Sequence, residues 1–356
     1  MKSNFVHHFE EIGIDHRPTV GGKGASLGEL IRAGIRVPPG CVVTTMAFEH
    51  FLSNFDADRS IRATIAALDA NDMDAIQRVS TEIRARIGRA QVPDELREAI
   101  AHGYRSIRAE AQGGPVAVRS SATSEDSAEA SFAGLQDTYL WVCGEEALLN
   151  YVLQCWASLY STESVSYRRR LKLPEDGLAM GVVIQRMVNA RCAGVMFTRS
   201  PTTGDRSVVT LEASWGLGSA IVSGEVTPDK YVVNKVTGEI VKRTVSRKLR
   251  HHRPHPSGSG VIDEEVPEDM VERPCLRDAE ISQLAKIACD VERHYGSAQD
   301  IEWAIEHDQP EGEGVYLLQS RPETVWAGRE AAPIATPKAR AFDHVFAVLG
   351  GAGGKK

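Results

Sequence analysis

Apolar positions along the chain follow two periods. Between residues 59 and 111 they recur three and four apart: Ile61, Ile65 and Leu68, then Ile76, Val79, Ile83 and Ile87, then Leu96 and Ile100. Such spacing paints one stripe on a helix, so this stretch is expected to be helical, with Pro93 starting its last helix. Helical spacing returns over 145–171, whose aromatics Tyr151, Trp156, Tyr160 and Tyr167 are expected in packing, and after Asp278, a candidate cap for a helix bearing Ile281, Leu284, Ile287, Ala288 and Val291. Glycines from Gly21 lead into a helix with Leu27, Leu30 and Ile31 on one face and Gly34 as its stop. Thr45 is expected to cap a helix carrying Phe48 and Phe51.

Period two and short continuous apolar runs predict strands. Residues 35–44 read as a turn into a short buried strand, and Pro115 to Val118 as a strand that delivers Arg119. Residues 136–142 alternate; 179–188 are nearly all apolar until Gln185, and 189–191 read as a turn and hinge between lobes. Further strands are expected at 193–198, at 207–211 running into Glu212, and around Val232 and Ile240. Residues 299–305 and 314–321 read as two strands joined by an acidic, glycine-containing loop. Residues 247–277 turn from basic to Pro/Gly/Ser-rich to acidic and are expected to be a mobile excursion, with Arg247, Lys248, Arg250, His251, His252 and Arg253 as a solvated basic run. Residues 327–356 read as an Ala/Pro/basic linker and tail.

Composition narrows the function classes. The hydrophobic share is 42% and the charged share 25%, an ordinary globular balance. A net charge of −7 argues against a sequence-blind grip on nucleic acid, so any anion site must be a local cluster. Six scattered cysteines without a CxxC pair suggest neither a zinc ribbon nor a disulfide framework, and a reducing cytoplasm fits. The N-terminus lacks the apolar core of a signal peptide. No apolar run approaches the roughly 18 residues that span a bilayer, so no membrane association is expected.

Three stretches carry candidate chemistry. Arg119 opens the hydroxyl-rich loop Ser120 to Ser127; its guanidinium is a permanent planar charge suited to phosphate, although a solvated turn would read the same. Lys23 lies in Gly21-Gly-Lys-Gly24 ahead of a helix, where backbone N–H groups favour an anion; the spacing is not that of a Walker A loop, and a flexible turn is the alternative. Alternation puts Asp300 and Glu302 on one face of their strand and Gln319 and Arg321 on one face of theirs. If the strands pair, Glu302 and Gln319 make a sparse hard-oxygen set suited to Mg²⁺, with Arg321 beside it; otherwise Glu302 and Arg321 are a surface ion pair.

Taken in order, the motifs are Gly21-Gly-Lys-Gly-Ala-Ser-Leu-Gly28, Val118-Arg-Ser-Ser-Ala-Thr-Ser-Glu-Asp126, Ser131-Phe-Ala-Gly-Leu-Gln-Asp-Thr138, Glu212-Ala-Ser-Trp-Gly-Leu-Gly218, Gly224-Glu-Val-Thr-Pro-Asp229, Asp300-Ile-Glu-Trp303 and Gln319-Ser-Arg-Pro322. Together they resemble the N-terminal nucleotide-binding part of the phosphoenolpyruvate synthase, pyruvate phosphate dikinase and rifampicin phosphotransferase family, over residues 18–326. The resemblance implies an α+β, ATP-grasp fold in which two lobes clamp ATP and Mg²⁺: a first lobe over 1–190 with the helical insertion at 59–111, a second over 191–326, and a tail over 327–356. It implies that Lys23 and Arg119 hold phosphates, that Gly134 and Thr138 line the phosphate loop, and that Gln185 sits by the adenine. Glu302 and Gln319 would hold magnesium, and Arg321 would stabilise the moving phosphoryl group. Glu212 and the Gly216–Gly218 loop would border the triphosphate or a docking face.

Relatives of this kind continue into a domain whose histidine, in a Gly-Gly-x-x-Ser-His context, receives the phosphoryl group. None of the eleven histidines here has that context. The resemblance therefore implies a partner subunit or domain that carries the histidine, as in the split phenylphosphate synthase, with β-phosphoryl transfer and phenol as the final acceptor. A phosphoenolpyruvate synthase component or fragment is the alternative, and a nucleotide-sensing regulatory subunit is the reading from another class.

Overall fold

The computed structural model describes residues 4–110, 113–123, 137–175, 178–310 and 312–326. The described residues up to Glu323 make one compact unit. It holds two large antiparallel sheets and helices, an α+β arrangement.

The first sheet combines β1 (Val6–His8), β2 (Gly40–Val43), β3 (Val116–Ala122), β4 (Thr138–Val142) and β5 (Met180–Arg186) in the order β1-β2-β5-β3-β4. Its centre, β5, is buried on both faces, which is why its sequence is nearly all apolar. One face packs α2 (Thr45–Phe55), α3 (Ser60–Ala66), α4 (Met73–Gly88), α5 (Asp94–Glu110), α6 (Glu145–Ser158) and α7 (Thr162–Arg170) around Trp156, whose ring lies 5.8 Å and 5.0 Å from those of Phe48 and Phe51. The expected helical stretch and aromatic packing are thus observed, with α5 burying Leu96, Ile100, Tyr104 and Ile107 on a single stripe. The other face packs α1 (Arg17–Arg32) through Val20, Leu27, Val42 and Val183.

The second sheet contains β6 (Ala190–Phe197), β7 (Val208–Trp215), β8 (Asp229–Asn234) and β9 (Ile240–Thr244). Between β7 and β8 lies the short α8 (Ser219–Val222); after β9 come the hairpin β10 (Arg250–Pro254) and β11 (Val261–Glu265), then α9 (Asp278–Tyr295), β12 (Gln299–Glu306) and β13 (Val315–Pro322). The order is β13-β12-β6-β7-β8-β9, so the last two strands return to the start of the sheet. α9 covers one face through Ile281, Leu284, Ala288 and Val291, against Ile301, Trp303, Leu211 and Tyr231. α1 bridges the sheets: Leu30 joins the second core, and Ser26 Oγ donates to Ser320 O at 2.6 Å.

Four expectations are corrected. Thr44, not Thr45, caps α2, accepting from Ala47 N at 3.3 Å. Arg277 holds the cap position of α9, its N–H donating to the Glu280 carboxylate at 2.8 Å, and Asp278 is the first helical residue. The glycines before Lys23 form no open loop: α1 runs from Arg17 through a kink at Gly21. Residues 247–277 are no free excursion either, because β10 and β11 pair and Lys248 is fully buried against Asp229 at 2.6 Å.

Candidate functional site

Arg119 leaves β3 on the face that fronts the second sheet. Its Nη1 donates to Leu318 O at 3.0 Å, and its Nη2 donates to Glu302 Oε2 at 3.0 Å and to Gln319 Oε1 at 2.6 Å. Glu302 and Gln319 are direct partners in the β12–β13 register, so the expected pairing brings them to one spot. An acid oxygen and an amide oxygen are thus gathered about one positive charge. Such hard, uncrowded donors also fit a magnesium ion that takes its other ligands from water and phosphate.

Lys23 approaches from α1. Gly21 adopts φ 72°, and a Cβ there would stand 2.0 Å from Ser121 O, so only glycine lets α1 lie this close to β3. The Ser121 hydroxyl donates to Val20 O at 2.8 Å and accepts from Gly24 N at 3.1 Å, capping both sides of the kink. Lys23 Nζ donates to Ser120 O at 3.0 Å, one residue from Arg119. Ser121 is a positioning residue that the motif did not single out; its signal lay a hundred positions from the glycines it serves.

A cavity of about 360 Å³ lies between the sheets. Arg119, Thr138 and Glu302 line one end; Gln185, Met187 and Val188 line another part of the wall; Ala193, Leu217, Gly218 and Ser219 belong to the second-sheet side. Thr138 stands opposite Arg119 in the β3–β4 register. Gln185 is 3% exposed, and its Nε2 reaches Pro38 O at 3.4 Å. Gly134 lies outside the described residues. Gln319 joins the site through Arg119; Lys23 and Arg321 are not in the cavity lining. Arg321 is half exposed and sits 3.5 Å from Asp300, its register partner. Glu212 shares a cross-strand row with Glu302 through Val195, two strands or about 10 Å away, and pairs with Lys230 at 2.7 Å.

Asp300 was legible as a face-mate of Glu302 but was not a predicted site residue. Burial, only partly offset by Arg321, raises its carboxyl to about 6, and its Oδ1 has no hydrogen-bond partner among the described residues. The site therefore joins a fixed cation and two oxygen donors at a largely apolar cleft, with the Asp300–Arg321 pair two residues along the same strands and outside the cavity lining. That composition suits a ligand with a flat apolar part and a highly charged end.

Residues 17–341 match the family described as "Pyruvate phosphate dikinase, AMP/ATP-binding domain". A probable phosphoenolpyruvate synthase of Staphylothermus marinus is 41% identical over 95% of this chain and 43% of its own length. A probable phosphoenolpyruvate synthase of Methanothermobacter thermautotrophicus is 43% identical over 90% of this chain and 46% of its own. A rifampicin phosphotransferase of a Streptomyces species is 39% identical over 91% of this chain and 36% of its own. The chain therefore spans less than half the length of these relatives. Their names favour the phosphoenolpyruvate synthase alternative over the phenylphosphate reading.

Proposed function

Because the chain belongs to the pyruvate phosphate dikinase AMP/ATP-binding domain family, we propose that it binds magnesium-ATP between its two sheets, as an ATP-grasp unit with lobes over 1–190 and 191–326. The β-phosphoryl group then goes to a histidine carried outside residues 1–356. The observation that carries this reading is the convergence of Arg119 from one sheet with Glu302 and Gln319 from the other at 3.0 Å and 2.6 Å. A charged end and an apolar cleft in one cavity match the two halves of a nucleotide.

In this reading Gln185 lies by the base, and Lys23 and Arg119 neutralise the phosphates. Glu302 and Gln319 would hold magnesium, which would supply neutralising charge to the phosphates when bound. On nucleotide binding Arg119 exchanges its carboxylate and amide partners for phosphate oxygens. Arg321 swings from Asp300 toward the phosphoryl group in transfer and stabilises its charge. A bond forms between the histidine nitrogen and the β phosphorus as the α–β bridge breaks to leave AMP; water cleaves the β–γ bridge and releases phosphate. Of the final acceptors considered, the names of the relatives support pyruvate over phenol.

The test pairs the chain with a histidine-bearing domain of a relative and ATP labelled at either the β or the γ phosphorus. Label from the β position is expected on the histidine. Label from γ alone refutes the transfer. Arg321→Ala with undiminished transfer refutes the role given to Arg321, and nucleotide binding with no label on the histidine favours a nucleotide sensor.

A further inference from the structure

One polar group on the cavity wall has no part in these roles. Ser219 sits there beside Ala193, Leu217, Gly218 and Val222. Its hydroxyl lies 2.7 Å from Nδ1 of His252, and Nε2 of His252 lies 3.0 Å from a carboxylate oxygen of Glu225. A carboxylate only accepts, so the bond to Glu225 puts a ring proton on Nε2, and in the neutral imidazole that leaves Nδ1 a bare acceptor. Ser219 must then donate its one proton to His252. What it turns to the cavity is lone pairs.

The backbone keeps this line in place. Leu217 N donates to His252 O at 2.9 Å, and a Cβ on Gly216 would stand 2.4 Å from that same oxygen. At the far end of the β10–β11 hairpin, Gly260 N donates to Trp141 O at 3.0 Å, on the first sheet. The hairpin that carries His252 thus contacts both sheets, and Ser219 is held as an acceptor on an apolar wall.

A nucleotide has few donors to offer such a group: its sugar hydroxyls and the exocyclic amine of adenine. Resting on the function proposed above, with the base by Gln185 and the phosphates by Arg119, the sugar is the part that meets the opposite wall. We propose that Ser219 accepts a hydrogen bond from a ribose hydroxyl and sets a preference for ribonucleotides over deoxyribonucleotides, with His252 and Glu225 as positioning residues.

The test titrates the 356-residue chain calorimetrically with ATP, with the 2′-deoxy and 3′-deoxy analogues, and with inosine triphosphate. Wild type is expected to bind ATP about three- to tenfold more tightly than one deoxy analogue, the worth of one neutral hydrogen bond. Ser219→Ala is expected to bind ATP as weakly as wild type binds that analogue, with the preference gone. Glu225→Gln, at an exposed side chain away from the cavity lining, should let the ring proton move, shrink the preference and shift the imidazole nitrogen resonances of His252. This second variant keeps the proposal open to refutation if Ser219→Ala folds poorly. A wild-type preference retained in both variants overturns the proposal, as does wild type binding ATP without any deoxy preference. Loss of discrimination against inosine triphosphate alone also overturns it, by assigning Ser219 to the base amine. Failure of wild type to bind any nucleotide overturns the proposed function itself.

Discussion

Arg119 and Glu302 stand 183 positions apart in the sequence, and Nη2 of the first lies 3.0 Å from Oε2 of the second. Each comes from a strand one in from the edge of its sheet, and Arg119 is largely buried. A ligand that enters between them must replace these bonds with stronger ones, which a phosphate and a divalent cation can do. The pair is therefore both a latch between the sheets and the site's reserve of charge.

Arg119→Lys is expected to fail as a replacement. The guanidinium serves three acceptors from two nitrogens, and an ammonium is a single point of charge on a flexible stem. Nucleotide affinity should fall at least tenfold, about 1.4 kcal/mol. Unfolding stability should drop by about 1–3 kcal/mol, since Glu302 is partly solvated and recovers some hydration. Calorimetric titration and urea unfolding would check the two parts separately.

Gly21→Ala should be more damaging than a surface helix substitution. The new methyl would meet Ser121 O at 2.0 Å with φ at 72°, a conformation that favours glycine. A loss of about 3 kcal/mol or more is expected, with Lys23 displaced from Ser120. Gly34→Ala makes the control: φ is 74° there, but a Cβ would have nothing within 4 Å. Comparing their melting midpoints isolates the cost of the close approach.

Lys248 and Asp229 are both fully buried, and Asp229 also accepts from Ser246 N and Cys275 N at 2.9 Å each. Lys248→Met should cost about 3–5 kcal/mol, because it leaves a buried carboxylate without its counter-charge. The double variant with Asp229→Asn should recover part of that loss. Equal melting of the single and double variants would contradict this account.

Glu280 gives a pH signature. Burial pushes its carboxyl up, but hydrogen bonds from the Arg277 side chain and backbone, with the charges of Arg191 and Arg277, outweigh burial and hold it below the usual glutamate value. A lowered acid binds its proton more readily unfolded than folded. Its stabilisation is therefore present above the unfolded value of 4.5 and is lost as pH falls through the lower folded one. Glu280→Gln should be less stable than wild type at neutral pH, and the gap should narrow as pH drops below that value. Denaturant midpoints measured across the acid range would reveal whether the gap closes.

The helices between 60 and 110 and the β12–β13 pair were legible because their signal is local. Apolar spacing depends on side chains a few positions apart, and so does the alternation that puts Glu302 opposite Gln319. Caps came out one residue off at Thr44 and Arg277, because a neighbouring residue presents a similar acceptor or donor. The Gly21 kink was read as a loop, since the Ser121 that justifies it belongs to another strand. Ser219, His252 and Glu225 carry no shared motif; only the docked hairpin lines them up.

By itself, the order of residues indicated most of the helices and strands and their apolar faces, and it marked side chains whose chemistry suits an anion or a hard cation. The tertiary structure decided what each charge means. Lys248 and Arg253 belong to one basic run, yet the first is sealed against Asp229 and the second is solvated. The energy of a charge depends on the water removed from it and on the partner brought to it. Both are set by contacts between residues far apart in the chain.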